Sequence, residues 1–311
     1  MLIAKLDALL RIISGGHLLP WIGPAVRGLV AERFKEAVCR QPADERVSRW
    51  TVCKGCPFLT ECPYGALFEP DPPAEAEVFR GQEEAVRPIV LAPYFPVPEE
   101  IPRGLEIPLR ITLVGPHAAQ DPQPLLQMIA NVGRQRGLGP EHVTFELLVA
   151  EGTGRQVFEL RPQDLPAHPA AAPGVLPRVG IGLVSPLLLR SRGDDGRRRS
   201  NTCPELVDLL RPALRTISHL FRLYGEPLEA DFRVLKAAAE GVRMVEHCYE
   251  PFQQRKWSSR TEHRFAIHGV VGGGVYADVP LALLPWLVWG GRLHVGNHRV
   301  AGAGGWRVVL D

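Results

Sequence analysis

The hydrophobic and polar positions along the chain predict strands and helices in the same order in each half. In the N-terminal half, apolar runs with interspersed polar residues predict strands over residues 2–14, 86–95, 105–114, 142–150 and 155–160, the last two forming a hairpin. Apolar residues at helical spacing predict helices over residues 24–38 and 123–136. Cysteines and Pro-rich loops occupy residues 39–85, which we treat as an insert.

The C-terminal half repeats this order after a Pro- and Ala-rich linker at residues 161–175. Strands are predicted over residues 176–185, 241–250, 263–276 and 305–310, helices over residues 204–224 and 281–290, and a helical connection over residues 232–239. Each half therefore has the order βαββαβ, which is typical of a ferredoxin-like (RRM-like) domain. We expect an α+β protein with two tandem ferredoxin-like domains, at residues 1–165 with a Cys-rich metal-binding insert at 39–85, and at residues 170–311.

Length and composition agree with two soluble domains. The chain has 311 residues, and domains usually contain about 100 to 200. No apolar run reaches the roughly 18 residues that a membrane helix needs, so we expect no membrane association. Lys5, Asp7 and Arg11 interrupt the apolar N-terminus, which we interpret as a strand of a cytoplasmic protein and not as a leader.

The net charge of +2 is unevenly distributed, because residues 1–170 carry −4 and residues 171–311 carry +6. A basic C-terminal half can attract a polyanion, although a random surface imbalance would give the same numbers. Two basic clusters stand out. One is the loop with Arg190, Arg192, Arg197, Arg198 and Arg199, which Asp194 and Asp195 partly offset. The other flanks Trp257 and contains Arg255, Lys256 and Arg260.

Four of the six cysteines lie close together, at Cys39, Cys53, Cys56 and Cys62. Four thiolates can complete a tetrahedral zinc site, and the Cys-x-x-Cys pair is a natural half of one. The spacing favours structural zinc, and it also permits an iron–sulfur cluster or no metal. Cys203 and Cys248 stand alone and are expected to be buried apolar residues.

A glycine-rich segment, residues 290–306, precedes the last predicted strand. Glycines permit a positive φ and a close approach of a ligand, and exposed N–H groups in such a loop can surround phosphate oxygens. The alternative is a loop that only turns tightly before an edge strand. No strand–GxGxxG–helix order surrounds the segment, so it is not a dinucleotide fingerprint.

Five segments in order along the chain resemble one branch of the CRISPR-associated endoribonucleases of the RAMP superfamily, which process CRISPR precursor RNA. These segments are GPAVRGLVAERF (23–34), CKGCPFLTECPYGALFEP (53–70), RPIVLAP (87–93), RKWSSRTEHRFAIHGVVGGGVY (255–276) and LHVGNHRVAGAGGWRV (293–308). The resemblance covers nearly the whole chain. It implies that the protein binds CRISPR repeat RNA or the processed crRNA and can belong to a CRISPR effector complex.

The resemblance implies a set of RNA-binding residues in the terminal loop and in the two basic clusters. The loop residues are Gly296, His298, Arg299, Gly302 and Gly304. Here the sequence departs from the branch, because Asn297 stands where a lysine is usual and Ala301 where an aromatic residue is usual. His298 and Arg299 would then replace the missing phosphate contact.

The resemblance also implies cleavage without a catalytic metal. The 2′-OH upstream of the scissile phosphate attacks in line and leaves a cyclic phosphate and a 5′-OH, with assistance from a general base, a general acid and a cation. Members of the family often place a histidine near the start of the first helix. His17 occupies this place, and Arg27 on the helix can reach the phosphate.

Two other functions fit the sequence. A non-catalytic RAMP subunit of an effector complex would share the fold and the glycine-rich loop without a working base. A zinc-dependent hydrolase is the weaker alternative, because four cysteine ligands leave no open coordination position.

Overall fold

A computed structural model describes residues 1–41, 53, 55–70, 85–149, 154–192, 198–258 and 263–310. The chain divides into two compact units. The N-terminal unit comprises Leu2–Pro93 and Val97–Phe158, and the C-terminal unit comprises Met1, Tyr94–Pro96 and Glu159–Asp311. No helix within the described ranges has the length and apolar character needed to cross a membrane.

The N-terminal unit is built from a central sheet with helices packed on it. Its elements in chain order are β1 (Leu2–Ile12), β2 (Gly16–His17), α1 (Gly23–Val38), α2 (Pro63–Phe68), β3 (Ile89–Pro93), β4 (Glu100–Ile101), β5 (Glu106–Val114), α3 (Pro116–Gln120), α4 (Gln123–Gln135), β6 (Phe145–Val149) and β7 (Arg155–Glu159). Four strands lie in the order β3-β5-β1-β6, and neighbours in this order are antiparallel. This is the order that a βαββαβ pattern predicts.

Strand β1 lies at the centre of this sheet because every second side chain is apolar. Its buried face carries Ala4, Leu6, Ala8, Leu10 and Ile12. On the other face, Asp7 accepts a hydrogen bond from Arg110 at 2.8 Å and Arg11 bonds Glu106 at 3.0 Å, so cross-strand ion pairs cover the exposed side.

Helices α1 and α4 contact each other and cover the sheet. Pro24 occupies the first turn of α1, where its missing N–H has no helical partner, and Val26, Val30 and Phe34 are buried at helical spacing. In α4, Leu125, Ile129 and Val132 form the equivalent buried stripe. Both helices were predicted from this spacing.

The predicted hairpin between residues 142–150 and 155–160 is wrong, because β7 pairs with β1. The bond from Asp7 N to Gly154 O, 2.7 Å long, lies at the start of this pairing. Strand β1 is 11 residues long, and β6 pairs only with its second half, residues 8–12. Its first half is therefore open to a further strand.

The C-terminal unit repeats the arrangement. Its elements are β8 (Val175–Leu183), β9 (Arg190–Arg192), β10 (Arg198–Ser200), α5 (Leu206–Tyr224), α6 (Phe232–Glu240), β11 (Arg243–His247), β12 (Glu250–Ser258), β13 (His263–Val271), β14 (Gly273–Pro280), α7 (Leu284–Leu293) and β15 (Trp306–Leu310). An antiparallel sheet has the order β11-β14-β8-β15, and β9-β10 and β12-β13 form two hairpins. The protein is thus a mixed α+β chain with antiparallel sheets.

The largest error in the predicted strands of this unit concerns residues 250–280. The expected single strand at 263–276 is two strands, β13 and β14, and β12 was not predicted. Gly272 separates β13 from β14 with φ of 97°, and a Cβ there would overlap the carbonyl of Cys248. Only glycine fits such a close approach with a positive φ, so the apolar run breaks there.

The glycine-rich segment is shorter than the sequence indicated, because Gly290 and Gly291 belong to α7. A Cβ on Gly290 would lie 3.0 Å from the Trp306 ring, and one on Gly291 would lie 2.7 Å from it. These two glycines therefore let α7 pack closely against β15, and they do not take part in the loop.

Candidate active site and RNA-binding surface

His17 lies on the short strand β2, opposite Glu100 of β4, and its side chain is 70% exposed. The Leu18 N–H donates to the Glu99 carbonyl at 3.0 Å, which extends the pairing beyond β2. Because strand pairing holds the backbone on both sides of His17, the imidazole is presented to solvent at a fixed position.

Glu141 contacts both the backbone and the ring of His17, which the sequence gave no reason to expect. The His17 N–H donates to Glu141 Oε2 at 3.1 Å, and His17 Nδ1 lies 3.1 Å from Glu141 Oε1 and 3.3 Å from Oε2. The two residues are 124 positions apart. No local motif connects them, so only the fold brings them together.

Arg27 lies in the second turn of α1 and is half-buried. Burial and Glu69 raise the pKa of Tyr64, and the charge of Arg27 acts against this increase, which places Arg27 near Tyr64. Its assignment to the scissile phosphate stays a prediction.

The four clustered cysteines lie around α1 and α2. Cys39 follows the last residue of α1, Cys62 precedes α2, and the Cys56 N–H donates to the Cys53 carbonyl at 2.9 Å. Within the described ranges, no three His, Cys, Asp or Glu side chains are gathered so that they could hold one metal ion. The assignment of structural zinc to these thiols therefore rests on their chemistry and spacing, and it stays a prediction.

The carboxylate of Glu69 connects two residues of this region by hydrogen bonds. It accepts hydrogen bonds from the Cys53 N–H and from the Tyr64 hydroxyl, each at 3.1 Å. Burial and this carboxylate raise the pKa of the Cys53 thiol to about 12. The rings of Tyr64 and Phe68 stack with centroids 5.4 Å apart.

Cys203 and Cys248 are exposed, so the expectation that they are buried is wrong. Cys203 lies in the turn before α5, where its N–H donates to the Asn201 side chain at 3.1 Å. Cys248 lies between β11 and β12, and its N–H donates to the Gly273 carbonyl at 2.8 Å. Both belong to connections, which usually run over the surface.

The glycine-rich loop is held by residues 185–189, which we call the anchor segment. The N–H groups of Asn297, Gly304 and Gly305 donate to Leu188 O, Pro186 O and Ser185 Oγ, at 3.2, 2.9 and 3.0 Å. The anchor segment also pairs with β13 through Leu187 and Val270, and Leu189 O accepts a hydrogen bond from the N–H of Asn201, the residue after β10. Both hairpins and the loop therefore share one attachment.

The glycines at 296, 302 and 304 have φ values of 80°, 79° and 73°. A Cβ on Gly304 would overlap the Val295 carbonyl oxygen, and one on Gly296 would lie 3.1 Å from Leu188 O. These glycines are thus required by the turn itself, which supports the alternative that the loop is a tight turn. Their contact with RNA stays a prediction.

His298 and Arg299 differ in their surroundings. His298 is exposed in the left-handed region, with φ of 57°. Arg299 is buried, and its Nε donates to the carbonyls of Leu293 and His294 at 2.8 and 3.1 Å. In this arrangement Arg299 stabilises the end of α7, and any contact with RNA would need its remaining nitrogens.

Five of the remaining predicted RNA-binding residues belong to the strands of the two hairpins. Arg190 is exposed in β9, Arg192 ends this strand, and Arg198 and Arg199 belong to β10. Lys256 lies in β12. Arg197 and Arg260 lie outside the described residues.

Helix α5 has a basic face that was not predicted from the sequence. Arg211, Arg215 and Arg222 are exposed and lie at i, i+4 and i+11, opposite the buried stripe of the helix. No carboxylate in the described part of the chain pairs with their guanidinium groups. Burial, Arg215 and Arg222 together lower the pKa of His219 to about 4, so this histidine adds no charge near neutrality.

Two family models match the chain in succession. The AF_1859_N model, described as an N-terminal domain, matches residues 1–170, and the model of the CRISPR-associated endoribonuclease Cas6 matches residues 181–306. A search of curated proteins gives no significant match.

Solved structures of similar fold cover nearly the whole chain. A Cas6 product complex (TTHB231) has a TM-score of 0.52 at 14% identity, over 98% of this chain and 100% of that one. Thermus thermophilus Cas6 (TTHB231) has a TM-score of 0.50 at 12% identity, over 99% of each chain. A partial Cas6-RT-Cas1–Cas2 complex has 0.55 at 11%, over 99% of this chain and 46% of that one. At these identities the likeness shows a shared fold.

The fold and the two consecutive family matches define a CRISPR-associated protein of the RAMP type. The chain belongs to the AF_1859_N family, whose model matches residues 1–170, and residues 181–306 match the model of the CRISPR-associated endoribonuclease Cas6. The resemblance found in the sequence is confirmed at this level.

Proposed function

We propose that this protein cuts CRISPR precursor RNA within its repeats, without a catalytic metal, and thereby produces guide RNAs. Beyond family membership, one observation carries the proposal. His17 presents an exposed imidazole whose Nδ1 faces a carboxylate, which leaves Nε2 directed away from Glu141. A histidine held in this way suits proton transfer near neutral pH.

The proposed reaction is an in-line transfer at the scissile phosphate. His17 accepts the proton of the upstream 2′-OH, the 2′ oxygen forms a bond to phosphorus, and the bond from phosphorus to the 5′ oxygen breaks. A second group donates a proton to this leaving oxygen, which gives a cyclic phosphate and a 5′-OH. Arg27 would stabilise the additional negative charge of the phosphorane.

RNA binding is supported by the arrangement of positive charge in the C-terminal unit. Arg190 of β9 and the face formed by Arg211, Arg215 and Arg222 are exposed and could neutralise phosphates. Such contacts release counterions, so the affinity would fall steeply as salt is raised. We propose CRISPR repeat RNA and the processed crRNA as ligands, and a CRISPR effector complex as the assembly that the protein joins. The strand orders of both units support tandem ferredoxin-like domains as the scaffold.

The proposal is tested with the repeat RNA of the protein's own CRISPR locus in the presence of EDTA. We expect one cut per repeat, and we expect it to disappear when deoxyribose replaces the ribose that carries the attacking 2′-OH. Cleavage of the deoxyribose substrate, or cleavage that EDTA abolishes, would exclude this mechanism. Tight binding with no cleavage of either substrate would instead identify a non-catalytic RAMP subunit.

A structural zinc ion held by Cys39, Cys53, Cys56 and Cys62 is also proposed, on the chemistry and spacing of these thiols. We expect about one equivalent of zinc per chain in protein purified without chelators, measured by plasma emission spectroscopy. The double variant Cys53→Ala, Cys56→Ala should lose the metal, because two ligands are removed. The control Cys203→Ala should retain it. Iron with a visible absorption band would indicate a cluster instead, and protein with neither metal would refute both assignments.

A further inference from the structure

We infer that Glu141 is a positioning residue for His17, which holds the imidazole with its proton on Nδ1 so that Nε2 is available to the RNA. The inference rests on the proposed function, in which His17 is the general base. It adds a residue that neither the motifs nor the family matches indicate.

Backbone hydrogen bonds between its two ends close the turn that carries Glu141. Leu138 and Val143 exchange two hydrogen bonds, of 2.8 and 2.9 Å, around the residues between them. Gly137, Gly139 and His142 all have a positive φ, of 68°, 69° and 52°. A non-glycine residue with a positive φ is uncommon and needs support, which His142 receives from its Nδ1, 3.0 Å from the Arg136 carbonyl oxygen.

The residue before His17 is Gly16, which leaves room for the carboxylate of Glu141. Gly16 has φ of 157°, and a Cβ there would lie 2.9 Å from Glu141 Oε2 and 2.8 Å from Val143 Cγ2. Glycine at this position leaves the space that Glu141 occupies. The oxygen Oε2 then accepts the His17 N–H, while Nδ1 of the same residue lies 3.1 Å from Oε1 and 3.3 Å from Oε2. Contacts to the backbone and to the ring of one residue fix the direction of the carboxylate and not only its distance.

The chemical consequence concerns which ring nitrogen carries the proton. A neutral imidazole has one N–H and one lone pair, and a carboxylate facing Nδ1 selects the form with the proton there. Nε2 then has a lone pair for the 2′-OH proton, and the carboxylate stabilises the imidazolium that forms. The side chains are 70% and 49% exposed, so the ion pair itself contributes little to the stability of the fold.

Two measurements test the inference. The first is the tautomer of His17 in the RNA-free protein, from long-range ¹H–¹⁵N spectra above its titration range. We expect the proton on Nδ1 in the wild type, a mixture in Glu141→Ala, and retention of the Nδ1 form in Glu141→Gln, whose amide oxygen can still accept. The control Glu146→Ala removes a carboxylate of the same unit that pairs with Arg134, and it should leave the tautomer unchanged.

The second measurement is the single-turnover cleavage rate in a double-mutant cycle. Glu141→Ala should reduce the rate by about tenfold to a hundredfold, less than the loss expected for a buried carboxylate because solvent screens this one. Glu141→Gln should recover part of the rate. In a His17→Ala background, Glu141→Ala should have no further effect, because it acts only through His17.

The outcomes separate the inference from the proposed function. If His17→Ala abolishes cleavage while Glu141→Ala leaves rate and tautomer unchanged, the inference fails and the proposed general base stands. If His17→Ala cleaves as the wild type does, the general base lies elsewhere and the inference falls with it. An effect of Glu141→Ala of equal size in both backgrounds would show a structural role and overturn the inference.

Discussion

Replacing His17 with alanine is expected to lower the single-turnover rate of repeat-RNA cleavage by about 100-fold to 10,000-fold, the usual contribution of a general base. The affinity for RNA should change by less than about threefold, because the side chain lies at the chemistry and carries little of the phosphate binding. The rate and the dissociation constant are measured in parallel, at saturating protein and by filter binding.

His117 provides the matched control for this experiment. It is an exposed histidine of the same unit, on α3, and His117→Ala should cleave at the wild-type rate. A His17→Ala variant that retains more than about a third of the wild-type rate would remove His17 from the reaction, since general-base catalysis is worth much more than that factor.

Replacing Gly304 with alanine is expected to destabilise the C-terminal unit by about 3 to 5 kcal/mol. The added Cβ would overlap the Val295 carbonyl oxygen, and its φ of 73° disfavours any residue with a Cβ. Its N–H and carbonyl also bond Pro186 and Val295, so the loop cannot move away without losing both contacts. Thermal unfolding followed by circular dichroism measures the loss.

The control for Gly304 is Gly182→Ala in β8. A Cβ at Gly182 meets nothing within 4 Å, and no positive φ is required there. Alanine is favoured over glycine inside a strand by about 0.5 to 1 kcal/mol, so this variant should melt at or slightly above the wild-type temperature. Equal melting of the two variants would show that the loop is not held as described.

The periodicity of apolar residues predicted the mixed α+β character of the chain and several of its elements. Helices α4 and α5 and the alternation along β1 each have one clear buried face, and the strand orders follow from the βαββαβ sequence of elements. Such signals are local, because each depends only on residues a few positions apart.

The features that the sequence did not reveal depend on distant partners. β12 is polar over much of its length and forms a strand because β13 pairs with it from Glu250 to Ser258. β7 has few apolar residues, and its partner is β1 at the other end of the unit. Glu141 is an ordinary charged residue of a turn until the fold brings it to His17.

The sequence indicated some residues of the candidate site and gave no signal for others. His17 was singled out from a resemblance and its place before α1, whereas its neighbouring carboxylate had no signal in the sequence. The exposed arginines of α5 could have been found from their i, i+4 and i+11 spacing opposite a Leu-rich stripe. The burial of Arg299 could not have been predicted from the sequence, because it depends on how the end of α7 packs against the loop.

The anchor segment has a consequence for how this protein can diverge. Both hairpins and the glycine-rich loop attach to the same five residues through backbone atoms for the most part, and backbone hydrogen bonds do not depend on side-chain identity. The side chains of both hairpins can therefore change while the roots of their strands keep the same register. Most substitutions along β9, β10, β12 and β13 would then leave the glycine-rich loop in place.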